Sequence, residues 1–146
     1  MGLQIRDGRQ MQALTGLSQG QFDHLLPVFS ALDQATQQKT YAEGVESGTR
    51  RRKPGGGSKG KLPTMAAKLL CVLYGDQTYP TFDVRGTHLD MARSQANENL
   101  QKLSPMLSDT LVHSERMPSR ALSTPADLKA ALQGMDQVII DATERA

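Results

Sequence analysis

The chain has 146 residues, a formal net charge of +2 and 38% hydrophobic content, with aromatics at 4% and no Trp, which suits one domain of ordinary size around a modest core. Its single cysteine, Cys71, excludes an internal disulfide and reads as a small buried apolar group in a reducing compartment. The longest apolar run, Leu69 to Tyr74, is far too short to cross a bilayer, and MGLQIRDGRQMQ has no apolar stretch of signal-peptide length. The expectation is a cytoplasmic protein with no membrane partner.

In chain order, residues 1–40 carry the first periodic segment. Ser18 with Gln21 three residues later has the capping-box spacing, and Phe22, Leu25, Leu26, Phe29 and Leu32 then recur at helical intervals. Pro27 lies inside and removes a backbone donor, which predicts a kink or break near His24 to Leu26. Residues 41–62 lose the apolar period to Gly, Ser and Lys and read as a linker. Over 63–116 three helices are expected. Thr64 caps the first, which carries Leu69, Leu70, Val72 and Leu73 and ends near Tyr79 and Pro80. Thr81 opens the short TFDVRGTHL, in which Phe82, Val84 or Arg85, and Leu89 alternate between core and solvent. After a turn in DMAR, Arg93 or Ser94 opens a long helix with a stripe of Leu100, Leu103, Leu107 and Leu111, bent at Pro105. In residues 117–146, TPADLKAALQG has a capped-helix pattern, with Thr124, then Pro125 at the first position and Gly134 at the end, and Val138 to Ile140 form a β-prone run without evident partner strands. The fold class expected is mainly α, with one orphan β-strand.

Charge is uneven along this plan. Arg50, Arg51, Arg52, Lys53, Lys59 and Lys61 fall within the twelve residues RRRKPGGGSKGK, which hold no acid, while the other 11 cations face all 15 acids and leave the rest of the chain at −4. Glycine and proline there forbid a regular element, so the cations sit on a flexible arm able to follow a polyanion; composition alone fits a solvated linker equally well. The arm directly precedes the short-helix, turn, long-helix order of a helix-turn-helix. In that motif the first turns of the second helix lie in the major groove, where Gln and Asn can pair with adenine and Arg with guanine. Arg93, Ser94, Gln95 and Asn97 have that chemistry. Spacing alone also fits polar residues on a packing helix. From Thr81 to His113, Arg85, Arg93 and Lys102 oppose Asp83, Asp90, Glu98 and Asp109, so DNA binding by this segment requires the arm.

The order LTGLS, F, LLPVF, then RRRKPGGG, KLPT, KLL, LYG, TYPTFDV, then MARSQAN, LSPML and finally VIIDATE resembles the N-terminal part of bacterial DDE transposases of the insertion-sequence-5 group. The most specific stretches are KLPT with TYPTFDV and the closing IIDATE, and the likeness spans about Leu14 to Glu144. It implies a helix-turn-helix that recognises double-stranded DNA, falling on Phe82 to Leu111, ahead of a ribonuclease-H-like nuclease. Gly75 and Asn99 stand where the family more often has large apolar or aromatic residues, so looser packing is the expectation there, and Ala92 stands where a capping Ser is commoner, which leaves the start of the long helix open.

The resemblance also places the first catalytic carboxylate of that nuclease at Asp141, with Glu144 beside it. Two-metal phosphoryl transfer needs several carboxylates around the ions, and with no further acids of that set in the sequence Asp141 is expected to be a non-functional remnant. No cofactor is expected; Mg²⁺ would belong only to a complete nuclease domain. The function expected is therefore DNA binding by a truncated transposase at the terminal inverted repeats of its element, near the nucleoid, without strand cleavage of its own. Two alternatives stay open: an upstream subunit active only with a downstream transposase polypeptide, and a helical protein-interaction module; the partners expected beside DNA are that polypeptide or a homo-oligomer.

Overall fold

The computed structural model describes residues 3–54, 60–114 and 123–137, and among these it contains six helices and no strand. Helix α1 (Gly8–Thr15), which the periodicity does not reveal, begins where the Asp7 carboxylate accepts from Gln10 N–H at 2.9 Å and ends at Gly16 with φ 74°, a left-handed turn open to glycine at little cost.

Helix α2 (Gln19–Glu46) starts with the expected capping box. The Ser18 hydroxyl accepts from Gln21 N–H at 3.2 Å, and Gln21 Oε1 accepts from Ser18 N–H at 2.9 Å. Phe22, Leu25, Phe29 and Asp33 are its buried face. The helix is continuous through Pro27, so of the expected kink or break the break does not occur. It also runs to Glu46, six residues into the stretch read as linker. The loss of apolar period at Tyr41 marks where the helix leaves the core, whereas the helix itself stops only at Ser47 and Gly48, the latter at φ 72°.

The next three helices follow the sequence reading closely. Thr64 caps α3 (Met65–Thr78) by accepting from Ala67 N–H at 3.1 Å, and the left-handed Tyr79 closes it. Thr81 caps α4 (Phe82–Leu89), left-handed Asp90 ends it, and α5 (Arg93–His113) follows after Met91 and Ala92 and continues through Pro105. Lacking a hydroxyl, Ala92 gives no side-chain cap; Gln95 Oε1 instead accepts from Ala92 N–H at 3.1 Å, so half of a capping box starts α5.

One apolar cluster joins Met11 of α1, Phe22, Leu25 and Phe29 of α2, Leu69, Val72 and Leu73 of α3, and Leu103 and Leu107 of α5. The N-terminal segment thus shares a core with the helix-turn-helix. A second cluster, Cys71, Leu89, Met91 and Ala96, fixes α4 and the turn on α3 and α5. Helix α6 (Pro125–Ala131) has its Thr124 cap and Pro125 start but no buried residue. The strand read at Val138 to Ile140 lies outside the described residues. No described helix is long and apolar enough to cross a membrane.

Candidate nucleic-acid interface

The helix-turn-helix angle is set by two small-residue contacts. Gly86 O accepts the backbone N–H of Met91 at 2.9 Å, and a Cβ on Gly86 would stand 2.5 Å from Met91 O, so only glycine lets the turn close against α4. Ala96, fully buried on the first turn of α5, packs with Met91 and Leu89. These contacts leave the opposite side of the first turns of α5 in solvent.

Arg93, Ser94 and Gln95 are exposed there and Asn97 is half-buried. Further along the helix, Gln101 and Lys102, which the sequence reading does not single out as contacts, are exposed as well. Gln95 has its Oε1 engaged by Ala92 N–H and so offers outward only its amide donor. Asn97 Oδ1 lies 3.5 Å from Gln101 Nε2, a weak bond that a base edge can displace. Arg93 Nη1 stands 3.6 Å from Asp83 Oδ2 on α4, both side chains 70% exposed. Asn99 is half-buried, with its Nδ2 3.6 Å from the Met91 sulfur, so it packs on the turn.

Lys61, the last cation of the arm, reaches this site: its Nζ is 3.4 Å from Asp90 Oδ2 at the helix-turn-helix turn. Lys61 and Arg93 line one open groove with Asp83, Asp90, Gly86 and Thr87. Arg50, Arg51, Arg52 and Lys53 are exposed beyond the end of α2, where Arg50 N–H donates to Gly44 O at 3.0 Å. Lys59 and Asp141, with its neighbour Glu144, lie outside the described residues.

The direction of α2 bears on where the four arm cations stand. Gln21 and Leu25 share a depression with Leu111 and Ser114 at the end of α5. Eight residues on, about 12 Å along the axis, Asp33 pairs with Lys68 of the first turn of α3 at 3.8 Å. That turn of α3 follows directly from Lys61, which meets the turn before α5. Helices α2 and α5 therefore run in opposite directions, and the last 13 residues of α2, about 20 Å, extend toward the end of the molecule where α5 begins.

Arg85 departs from the sequence reading. The pattern makes it interchangeable with Val84 at the core boundary and one of the local cations, yet it is 3% exposed while Val84 is 45% exposed. The guanidinium occupies the space that a Cβ on Gly75 would fill and lies 5.8 Å from the Phe82 ring centre. Its Nε and Nη1 have no hydrogen-bond partner among the described residues. Gly75 thus makes room for a buried cation instead of loosening the core. Burial pushes the Asp76 carboxyl above the usual carboxylate range, with the nearby Arg85 charge opposing that shift. Burial likewise raises the Cys71 thiol, again opposed by Arg85.

No family model, no curated protein and no solved structure matches this chain.

Proposed function

We propose that the protein binds double-stranded DNA, with the first turns of α5 in the major groove and the arm on the phosphate backbone. The observation that carries this reading is the meeting of the two elements at one place: Lys61 of the arm and Arg93 of α5 line the same groove beside the helix-turn-helix turn. Arg93, Ser94 and Asn97 supply donors and acceptors for base edges, Lys102 and the arm supply phosphate contacts, and α4 braces α5. The resemblance to insertion-sequence-5-type transposases supports the same division of labour and suggests the terminal inverted repeats of a mobile element as the site.

The test is selection of bound duplexes from a randomised pool, followed by sequencing. Enrichment of a discrete site by the wild-type chain, lost in Asn97→Ala with retention of overall DNA binding, is expected. The lost contact should reduce discrimination by about 1 to 3 kcal/mol if it is bidentate. Failure of the wild-type chain to retain any duplex contradicts the reading and leaves a protein-interaction role for the exposed helix face.

A further inference from the structure

We infer that Glu98 is a specificity-determining residue of the interface: its carboxylate accepts a hydrogen bond from the exocyclic amino group of a cytosine at one position of the DNA site. This rests on the DNA-binding reading above and deepens it by naming a base pair that the site contains.

The placement follows from the buried face of α5, which is Ala96, Leu103, Leu107 and Thr110. At about 100° per residue, the line opposite that face runs within about 30° of Ser94, Glu98 and Gln101. All three are exposed. Arg93 and Asn97 lie to the α4 side of the line, where Arg93 meets Asp83 and Asn97 is half-buried. A groove that admits the first turns of α5 therefore has Ser94, Glu98 and Gln101 facing its floor, with Arg93 and Lys102 at the flanks. Glu98 stands five residues after Arg93, about 7.5 Å along the axis, and so still within the turns proposed to enter the groove.

Inside the protein this carboxylate has no task. Asp83 and Asp90 meet Arg93 and Lys61, whereas Glu98 makes no ion pair and no side-chain hydrogen bond among the described residues. Lys102 follows it by four residues, the order that favours a helical ion pair, and the two still do not meet. Beyond the first turn the carboxylate gains little from the helix dipole. Both of its oxygens are acceptors only.

Repulsion between Glu98 and the phosphates is the same for every sequence and selects none. The base edge does the selecting. In the major groove cytosine presents an amino donor, which a carboxylate can accept, whereas guanine and thymine present acceptors, and the amino group of adenine lies beside the acceptor N7. Facing an acceptor, the carboxylate loses its water without a hydrogen bond in return, a cost that falls on the wrong bases alone. Glutamine in its place would change the choice, because its amide offers a donor beside an acceptor and so matches N6 and N7 of adenine.

The experiment selects duplexes from a randomised pool with the full chain as wild type, Glu98→Gln and Glu98→Ala. Fluorescence anisotropy then measures binding to the wild-type site with each base pair in turn at the position that changes. Glu98 is exposed, so both variants should keep the helical content of wild type. The wild-type site should hold a C·G pair at one position, favoured by roughly tenfold, the lower part of what a good base contact gives. Glu98→Gln should select an A·T pair at that position with the rest of the site unchanged, and Glu98→Ala should select no base there. Identical base preferences in the three proteins, even with a general gain in affinity on loss of the charge, overturn the inference while leaving DNA binding intact. An A·T pair as the wild-type choice at the changed position overturns it as well. Failure of all three proteins to retain any duplex overturns the DNA-binding reading itself, and the inference with it.

Discussion

At the scale of single residues, the joint between α3 and α4 is unusual in burying a guanidinium without hydrogen-bonded partners on two of its nitrogens among the described residues. Desolvating a guanidinium costs several kcal/mol, against which the nearby Asp76 charge acts, and an apolar side chain of similar length that avoids this cost is often neutral or stabilising. Arg85→Met should therefore leave stability unchanged or raise it, read as the midpoint of chemical denaturation. Gly75→Ala should lower it by about 1 to 3 kcal/mol, since its Cβ meets the guanidinium in a closed site. The two effects should couple: in the Arg85→Met background the Gly75→Ala cost should shrink by at least about 0.5 kcal/mol. Additive effects would mean that the two residues do not share the slot. Cys71, 1% exposed and with its thiol shifted upward by burial, should react with a disulfide reagent only as fast as the protein opens. A rapid native-state reaction would place it outside the core. Neither Arg85 nor Gly75 announces its role in the sequence, because a cation and a glycine at unrelated positions show their fit only when the helices are packed.

At the scale of elements, the boundaries set by side-chain caps are legible. Ser18 with Gln21, Thr64, Thr81 and Thr124 each carry their own hydrogen bond to the first turn. What periodicity misses are α1, an eight-residue helix with a short apolar record, and the polar end of α2. Beyond Asp33 that helix has no buried residue and holds by backbone bonds, with the Thr36 and Thr40 hydroxyls donating to Leu32 O and Thr36 O at 2.9 Å. Amide exchange should accordingly be slow from Phe22 to Asp33 and fast beyond Gln37; uniform protection to Glu46 would require a partner on that half. In α6 the Asp127 carboxyl is held below its usual range by the Thr124 hydroxyl first, and then by the Thr124 N–H. A depressed folded value gives stability that is present above the unfolded carboxylate range and fades as the pH falls through the folded value. Helical chemical shifts over Pro125–Ala131 should therefore hold at neutral pH and decline in acid below about pH 4. A helix that strengthens on acidification would contradict the cap.

At the scale of the whole molecule, the proposed function makes the chain a helical scaffold that aims two unlike surfaces at one polyanion. The core of α1, α2, α3 and α5 fixes the polar first turns of α5, and the distal half of α2 carries Arg50 to Lys53 toward the same end. The composition of both surfaces is visible in the sequence. Their meeting at Lys61, and the opposing acids Asp83 and Asp90, become visible only once the fold brings Lys61 and Asp90, 29 positions apart, to one groove. Binding to duplex DNA as a function of salt tests this arrangement most directly, comparing the wild-type chain with a variant in which Arg50, Arg51, Arg52 and Lys53 are alanine. If the six arm cations all reach phosphates, wild-type affinity should fall by roughly 10³-fold between 50 and 200 mM salt. The variant should bind all sequences more weakly and with a flatter slope. Equal slopes for the two proteins would show that the arm does not touch DNA and would contradict the account.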